Sequence, residues 1–309
     1  ADPVLVNRHA DRVEGAGVAA ETSLRERRAV GVGLLRAELN RLLGGEQVAL
    51  DPLAEIADDL IDALVHDAAR YSIVALGLPR PVDSLPDHSY STGGVAIAIA
   101  AQLGWSRTDV RMVGVAGFLC DAGIGLVPHA LRQAARPLAD IELNAVRRHP
   151  EYSVALARRV GGFPERAALA VHQHHERLDG SGYPGAVKAG QIHDYARVLA
   201  IADAFAGMTS PRTHRPAMTP AAAMSEIAHV AAGGGFDKVA ARALLDALGM
   251  YPAGSLVKLS SGHIASVGAS GPQGAADRPV VRVMATRGRE IDLALVGRDE
   301  LRVVDAVSA

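Results

Sequence analysis

The sequence predicts a mainly α chain, a helical bundle followed by a small C-terminal β module, and three observations predict it. Apolar residues recur at helical spacing through most of residues 22–248. Of the 309 residues 49% are apolar but only 4% aromatic, so a sizeable core must be built from Ala, Val, Leu and Ile, which suits closely packed alanine-rich helices. After Met250 the texture changes to short β-branched or alternating runs parted by Gly and Pro.

Residues 1–20 mix small, polar and charged side chains without period and read as an unstructured arm. Leu24, Val30, Leu34, Leu35, Leu39 and Leu42 predict a helix from Thr22 to Leu43, stopped by Gly44-Gly45. Asp51-Pro52 opens another, with Asp as N-cap and Pro at the first helical position, and Leu53, Ile56, Leu60, Leu64 and Val65 line one face through about Leu76. Pro79, Pro81 and Pro86 break the chain before a helix carrying His88. Further helices are predicted over 88–103, 106–121, 138–147, 150–160, 164–177, 194–207, 220–231 and 236–248, with a loop at Gly233-Gly234-Gly235. Strands follow at Val257–Leu259, His263–Val267, Val280–Met284 and Ile291–Val296.

Charge excludes several functions. With 32 basic and 34 acidic residues the net charge is −2, which offers no global field to a nucleic acid polymer or an anionic membrane, so any anionic ligand must be held locally. The most apolar stretch, Val95–Leu103, is about half the length a membrane span needs, and no signal-peptide pattern opens the chain. A single cysteine excludes an intrachain disulfide and fits a reducing cytoplasm.

The chemistry concentrates in His174-His175-Glu176-Arg177-Leu178-Asp179-Gly180-Ser181-Gly182-Tyr183-Pro184. Paired imidazoles are good ligands for iron, zinc or manganese, and the Gly-rich turn beside them lets backbone approach closely. Most of the twelve histidines have a surface or structural role as their simplest explanation. His88, Asp121, His149, His174, His175 and Asp203 stand apart, because each lies in or beside an apolar helical run and together they make a ligand set for two metals bridged by a carboxylate.

In that order, and with His149-Pro150, His174-His175-Glu176, Gly182-Tyr183-Pro184 and Ile201-Ala202-Asp203-Ala204-Phe205, the chain resembles the HD-GYP family of bacterial cyclic di-GMP phosphodiesterases within the HD superfamily. The resemblance runs from about Asp87 to about Leu248 and continues into Tyr251–Ser260, similar to a tail found on one subgroup. It implies an HD-domain helical bundle organised as residues 1–80, an N-terminal arm and helices packing on the bundle; 81–249, the metal-binding catalytic domain; and 250–309, the β module. It also implies two divalent metals, iron or manganese before zinc. Asp121, the catalytic carboxylate, bridges them. One site takes His88, Cys120, Asp121 and Asp203, and the other Asp121, His149, His174 and His175. Gly182, Tyr183 and Pro184 shape the substrate loop, and Arg212 and Arg215 stand where a basic motif contacts ligand phosphates.

The chain departs from the family pattern at three places. Cys120-Asp121 replaces His-Asp, and Ile124 replaces a lysine that helps to hold phosphate. Ser84 stands where some members carry an extra glutamate ligand, which argues for two metals over three. Cys120 reads equally as a thiolate ligand or a small buried side chain. Two functions therefore follow from the resemblance. One is in-line hydrolysis of cyclic di-GMP, at reduced rate. The other is an inactive protein that binds cyclic di-GMP or metal and signals through a protein partner. A mononucleotidase of the same superfamily is disfavoured by the Gly-Tyr-Pro loop.

Overall fold

Helix α1 (Ala16–Leu43) buries Val32, Leu35, Leu39 and Leu42, whereas Val30 and Leu34, expected beside them, are 64% and 55% exposed. Each step along a helix turns about 100°, so Leu34 and Leu35 cannot share a face. The computed structural model describes residues 16–77, 84–132, 134, 136–212, 215–271, 275–284, 290–293 and 301–307. Most of the expected N-terminal arm, Pro79, Pro81, Thr213, His214 and the run from Ala294 to Val296 lie outside them.

The one helix expected from Asp51 to Leu76 is two, α2 (Leu50–His66) and α3 (Tyr71–Leu76). Asp67 ends the first: its Oδ1 accepts the Arg70 amide at 3.1 Å and its Oδ2 the Arg70 guanidinium at 2.9 Å, a local bond that competes with helix. Ala49, and not Asp51, is the N-cap, and Val65 faces solvent. Pro86 does not break the chain. It sits in the first turn of α4 (Leu85–Gln102), where its missing N–H leaves no bond unmade, behind a Ser84 hydroxyl that caps Asp87.

Helix α4 is buried from His88 to Ala100 and packs along α5 (Arg107–Leu119). Glycines let the two backbones meet: a Cβ at Gly117 would lie 2.7 Å from Gly93 Cα, and one at Gly93 would lie 2.2 Å from Phe118 Cε1. This close approach brings the start of α4, with His88, to the end of α5, with Asp121. Behind them follow a 3-10 turn (Ala122–Leu126), α6 (His129–Arg132), α7 (Asp140–Arg147), α8 (His149–Ala157), α9 (Glu165–Gln173), α10 (Asp194–Met208), α11 (Pro220–Ala232) and α12 (Lys238–Leu248). Strands β1 (Val48–Ala49) and β2 (Val160–Gly161) pair in parallel, too short to leave a sequence signal. One apolar cluster runs from Val32 to Leu248, so α1 and α2 share the core of α4, α5 and α10. Among the described residues no helix is long and apolar enough to cross a membrane.

The β module is a five-stranded antiparallel sheet. Its strands are β3 (Leu256–Leu259), β4 (Ile264–Ala269), β5 (Val280–Val283), β6 (Glu290–Asp292) and β7 (Val303–Val307), in spatial order β6-β5-β4-β3-β7. Strand β7 was not expected, because only one end of Arg302–Val307 alternates and its partner β3 lies more than forty residues upstream. The sheet has its own apolar cluster, from Val257 to Leu293. It is tied to the helices by Ser72 Oγ donating to the Ala253 carbonyl (3.1 Å) and by the Ser270 amide donating to the Ala69 carbonyl (2.8 Å).

The helix contact gives a direct prediction. Gly117→Ala forces α4 from α5 and costs about 1–3 kcal/mol of stability, whereas Gly33→Ala, with nothing within 4 Å of its added Cβ, stabilises α1 by about 0.5–1 kcal/mol. Urea unfolding of the two variants checks the difference in sign.

Candidate metal centre

Five elements deliver the donors. His88 is in the first turn of α4, Asp121 follows α5, His149 begins α8, His174 and His175 follow α9, and Asp203 lies in the middle of α10. The turn after Asp121 is locked to α8, because the Gly123 amide donates to Ser153 Oγ at 2.9 Å and a Cβ at Gly123 would meet the His149 carbonyl at 2.3 Å.

Two groups result, Asp121 with His149, His174 and His175, and His88 with Asp121 and Asp203, the donor atoms of each lying within 4.8 Å of one another. Asp121 belongs to both. Its Oδ1 is 3.1 Å from His149 Nε2 and 3.4 Å from His174 Nε2, while its Oδ2 is 2.9 Å from His88 Nε2. His88 Nε2 is also 2.9 Å from Asp203 Oδ1.

The imidazoles are oriented for a cation. His149 Nδ1 donates to the Val146 carbonyl at 2.9 Å and His174 Nδ1 to the Val171 carbonyl at 2.7 Å. A carbonyl only accepts, so these bonds place the proton on Nδ1 and leave the Nε2 lone pairs facing inward. His149 Nε2 lies 3.4 Å from His174 Nε2 and 3.1 Å from His175 Nε2. Donors bound about 2.1 Å from one ion stand about 3–4 Å apart, so this spacing suits a metal, whereas protons on all three nitrogens would oppose one another. Buried Asp121 Oδ1 and His88 Nδ1 find no hydrogen-bond partner among the described residues.

Burial opposes ionisation of Asp121, but contacts with His149, His174 and His88 outweigh it and hold the carboxyl well below the usual range. Asp203 is held below that range too, burial and Asp121 working against the stronger pull of His88. Burial likewise opposes charge on His88 and His149, but Asp121 outweighs it and raises both above the usual imidazole range, so a cation bound at their Nε2 atoms would displace a proton. Burial and then the neighbouring His174 push His175 well below the usual imidazole range, which keeps it neutral.

Cys120 takes the second of its two readings. The structure does not bring it into either group: its fully buried thiol donates to the Gly117 carbonyl at 3.3 Å, and burial, then Asp121 and Asp203, push its pKa well above normal. It is a small core side chain, leaving the His88 group one donor short. Ile124 is half-buried in the 3-10 turn that follows.

The loop after His175 folds back on the centre. Gly182 has no room for a side chain, since a Cβ would lie 2.4 Å from the Arg177 amide nitrogen and 2.5 Å from the His175 carbonyl. Tyr183 stacks on His175 at 4.7 Å between centroids and stands edge-on to His149 at 6.3 Å. Pro184 leads to Gly185 and Val187, whose amides donate to the buried Glu176 carboxylate at 2.6 and 3.1 Å. Sequence reasoning passed over Glu176, although its place directly after His174-His175 was the available signal.

The two expected phosphate contacts differ. Arg215 donates to the Gly207 carbonyl at 2.8 Å and the Met208 carbonyl at 3.3 Å, at the end of α10. Arg212 is joined to it by paired backbone bonds of 2.9 and 3.1 Å. His193, expected to be structural, caps α10 by accepting the Tyr195 amide.

Residues 53–238 match the family model described as HD domain. A cyclic di-GMP phosphodiesterase of Pseudomonas aeruginosa is 35% identical over 217 residues, 68% of this chain and 51% of that protein. The cyclic di-GMP phosphodiesterase response regulator RpfG of Xanthomonas campestris is 36% identical over 132 residues, 42% of this chain and 35% of its own. A 3'3'-cGAMP-specific phosphodiesterase of Vibrio cholerae is 32% identical over 168 residues, 53% of this chain and 35% of its own. The chain thus spans about half or less of the length of these relatives. In fold it is similar to an HDG"Y"P protein from Bdellovibrio bacteriovorus, with a TM-score of 0.59 at 14% identity over 76% of this chain and 74% of that one.

Two outcomes test the centre itself. Saturating manganese raises the unfolding temperature of chelator-treated protein, by the equivalent of about 2.7 kcal/mol at a hundredfold excess over Kd, and Asp121→Asn removes most of that rise in a thermal-shift assay. Glu176→Ala strands two loop amides and costs about 1–3 kcal/mol, read by urea unfolding.

Proposed function

The chain belongs to the HD domain family, and on that premise we propose that it is a metal-dependent phosphodiesterase of the HD-GYP type acting on cyclic di-GMP. The observation that carries the proposal is Asp121, whose two oxygens face the two donor groups separately, the arrangement a dinuclear hydrolytic centre requires. Similarity to phosphodiesterases of cyclic di-GMP and of 3'3'-cGAMP supports the substrate class.

In this reading two divalent ions, iron or manganese before zinc, are held by Asp121, His149, His174 and His175 on one side and by His88, Asp121 and Asp203 on the other. Such ions would supply a nucleophile at neutral pH and offset the negative charge of a phosphodiester. The protein's residues do the rest. The Val146 and Val171 carbonyls fix the imidazole tautomers, and Glu176 holds the Gly182-Tyr183-Pro184 loop against the centre. Arg212 contacts substrate phosphate. Residues 81–249 form the catalytic unit, with 1–80 packing on it and 250–309 a β module for protein contact. A cytoplasmic setting is part of this reading and rests on the lone reduced thiol, Cys120.

One observation favours a second reading. The His88 group lacks the residue-120 donor and Ile124 offers no cation, which suits a receptor that binds cyclic di-GMP without turnover and signals through a partner. Metal analysis of protein purified without oxygen, with chromatography of cyclic di-GMP incubated with it, separates the two. Two metals and a linear product are expected. One metal or none, with intact cyclic di-GMP, sinks the enzyme in favour of the receptor. Cys120→His with Ile124→Lys is expected to raise metal content and hydrolysis more than either change alone, because a lysine buried without the second metal carries an uncompensated charge.

A further inference from the structure

Arginines near the donor segments in sequence are engaged. Arg148 pairs with Glu151 at 3.2 Å, Arg177 donates to the Glu176 carbonyl at 2.9 Å and lies over the Phe236 ring, and Arg215 caps α10. Arg147 differs. It is the exposed last residue of α7, and among the described residues its guanidinium makes no hydrogen bond or ion pair. It lies over Tyr183, the Cζ 5.4 Å from the ring centroid.

That contact fixes where the charge is held. Tyr183 is stacked on His175 and edge-on to His149, so the guanidinium lies over the ring that itself packs on two imidazoles of the donor group. A cation over an aromatic face is held by only about 0.5–1 kcal/mol at an exposed site, so its donors stay available. The planar fork matches two phosphate oxygens, and a phosphodiester seated at the centre brings negative charge to this rim.

We propose that Arg147 is a phosphate-binding residue, receiving oxygens of a cyclic dinucleotide. This rests on the phosphodiesterase reading for the ligand's identity and on geometry for the contact. Its N–H groups replace water around the anion, and Tyr183 orients them.

The test titrates inorganic phosphate into manganese-loaded protein by calorimetry, with KM for cyclic di-GMP measured in parallel. Arg147→Ala is expected to weaken phosphate about tenfold, the loss of one charge-assisted contact, and to raise KM while leaving metal content unchanged; Arg147→Lys recovers part of both. Equal phosphate affinity in Arg147→Ala and wild type overturns the proposal, as does a wild type that binds no phosphate. A lower unfolding temperature with undiminished phosphate affinity also overturns it, marking an arginine that only steadies Tyr183. Phosphate binding that depends on Arg147 in a protein leaving cyclic di-GMP intact keeps the contact and removes the enzyme, so the two readings fail separately.

Discussion

Two carboxylates and four imidazoles share one buried volume, and the architecture answers to the cost of putting them there. Asp121, His149 and His174 are almost inaccessible, and an isolated buried carboxylate would be neutralised by a shifted pKa. Here the imidazoles around Asp121 and Asp203 outweigh burial and keep both ionised. Such compensation demands donors within about an ångström of their places. The backbones carrying them must therefore approach closely, which is what the Gly93–Gly117 crossing of α4 and α5 and the Gly123–Ser153 contact provide.

The substrate loop depends on the same centre. Gly182 lies against the backbone of His175 and Arg177, Tyr183 packs on the His175 ring, and Glu176 collects the amides of Gly185 and Val187. A change of conformation at His174-His175 must therefore move Tyr183. The donor pair and the loop are two faces of one short segment, and Arg147 lies over its Tyr183 ring.

The two donor groups are unequal. One has three imidazoles with Asp121; the other has His88 between two carboxylates, with the thiol of Cys120 turned back to the Gly117 carbonyl. Full burial, then Asp121 and Asp203, keep that thiol protonated, and a protonated thiol is a poor ligand. The departure from the family pattern at residue 120 thus acts where metal affinity is set, while the loop and the His149 side keep their full complement.

Much was legible in the sequence for a simple reason: periodicity and ligand chemistry are local. The helices, the change to β structure after Met250, and the donors His88, Asp121, His149, His174, His175 and Asp203 could each be read from residue type and spacing. What remained depends on contacts that residue type does not announce. The break at Asp67 comes from its bond to Arg70, the outward turn of Val30, Leu34 and Val65 from where each helix meets the core, and strand β7 from pairing with β3 more than forty residues upstream. Sequence left Cys120 open between ligand and core. The structure turns its buried thiol to the Gly117 carbonyl, and it seats the Arg215 guanidinium on the carbonyls that end α10. Backbone carbonyls write no letter in a sequence, yet those of Val146, Val171, Gly117 and Gly207 decide which side chains point at the centre, because a donor goes where an acceptor is already fixed.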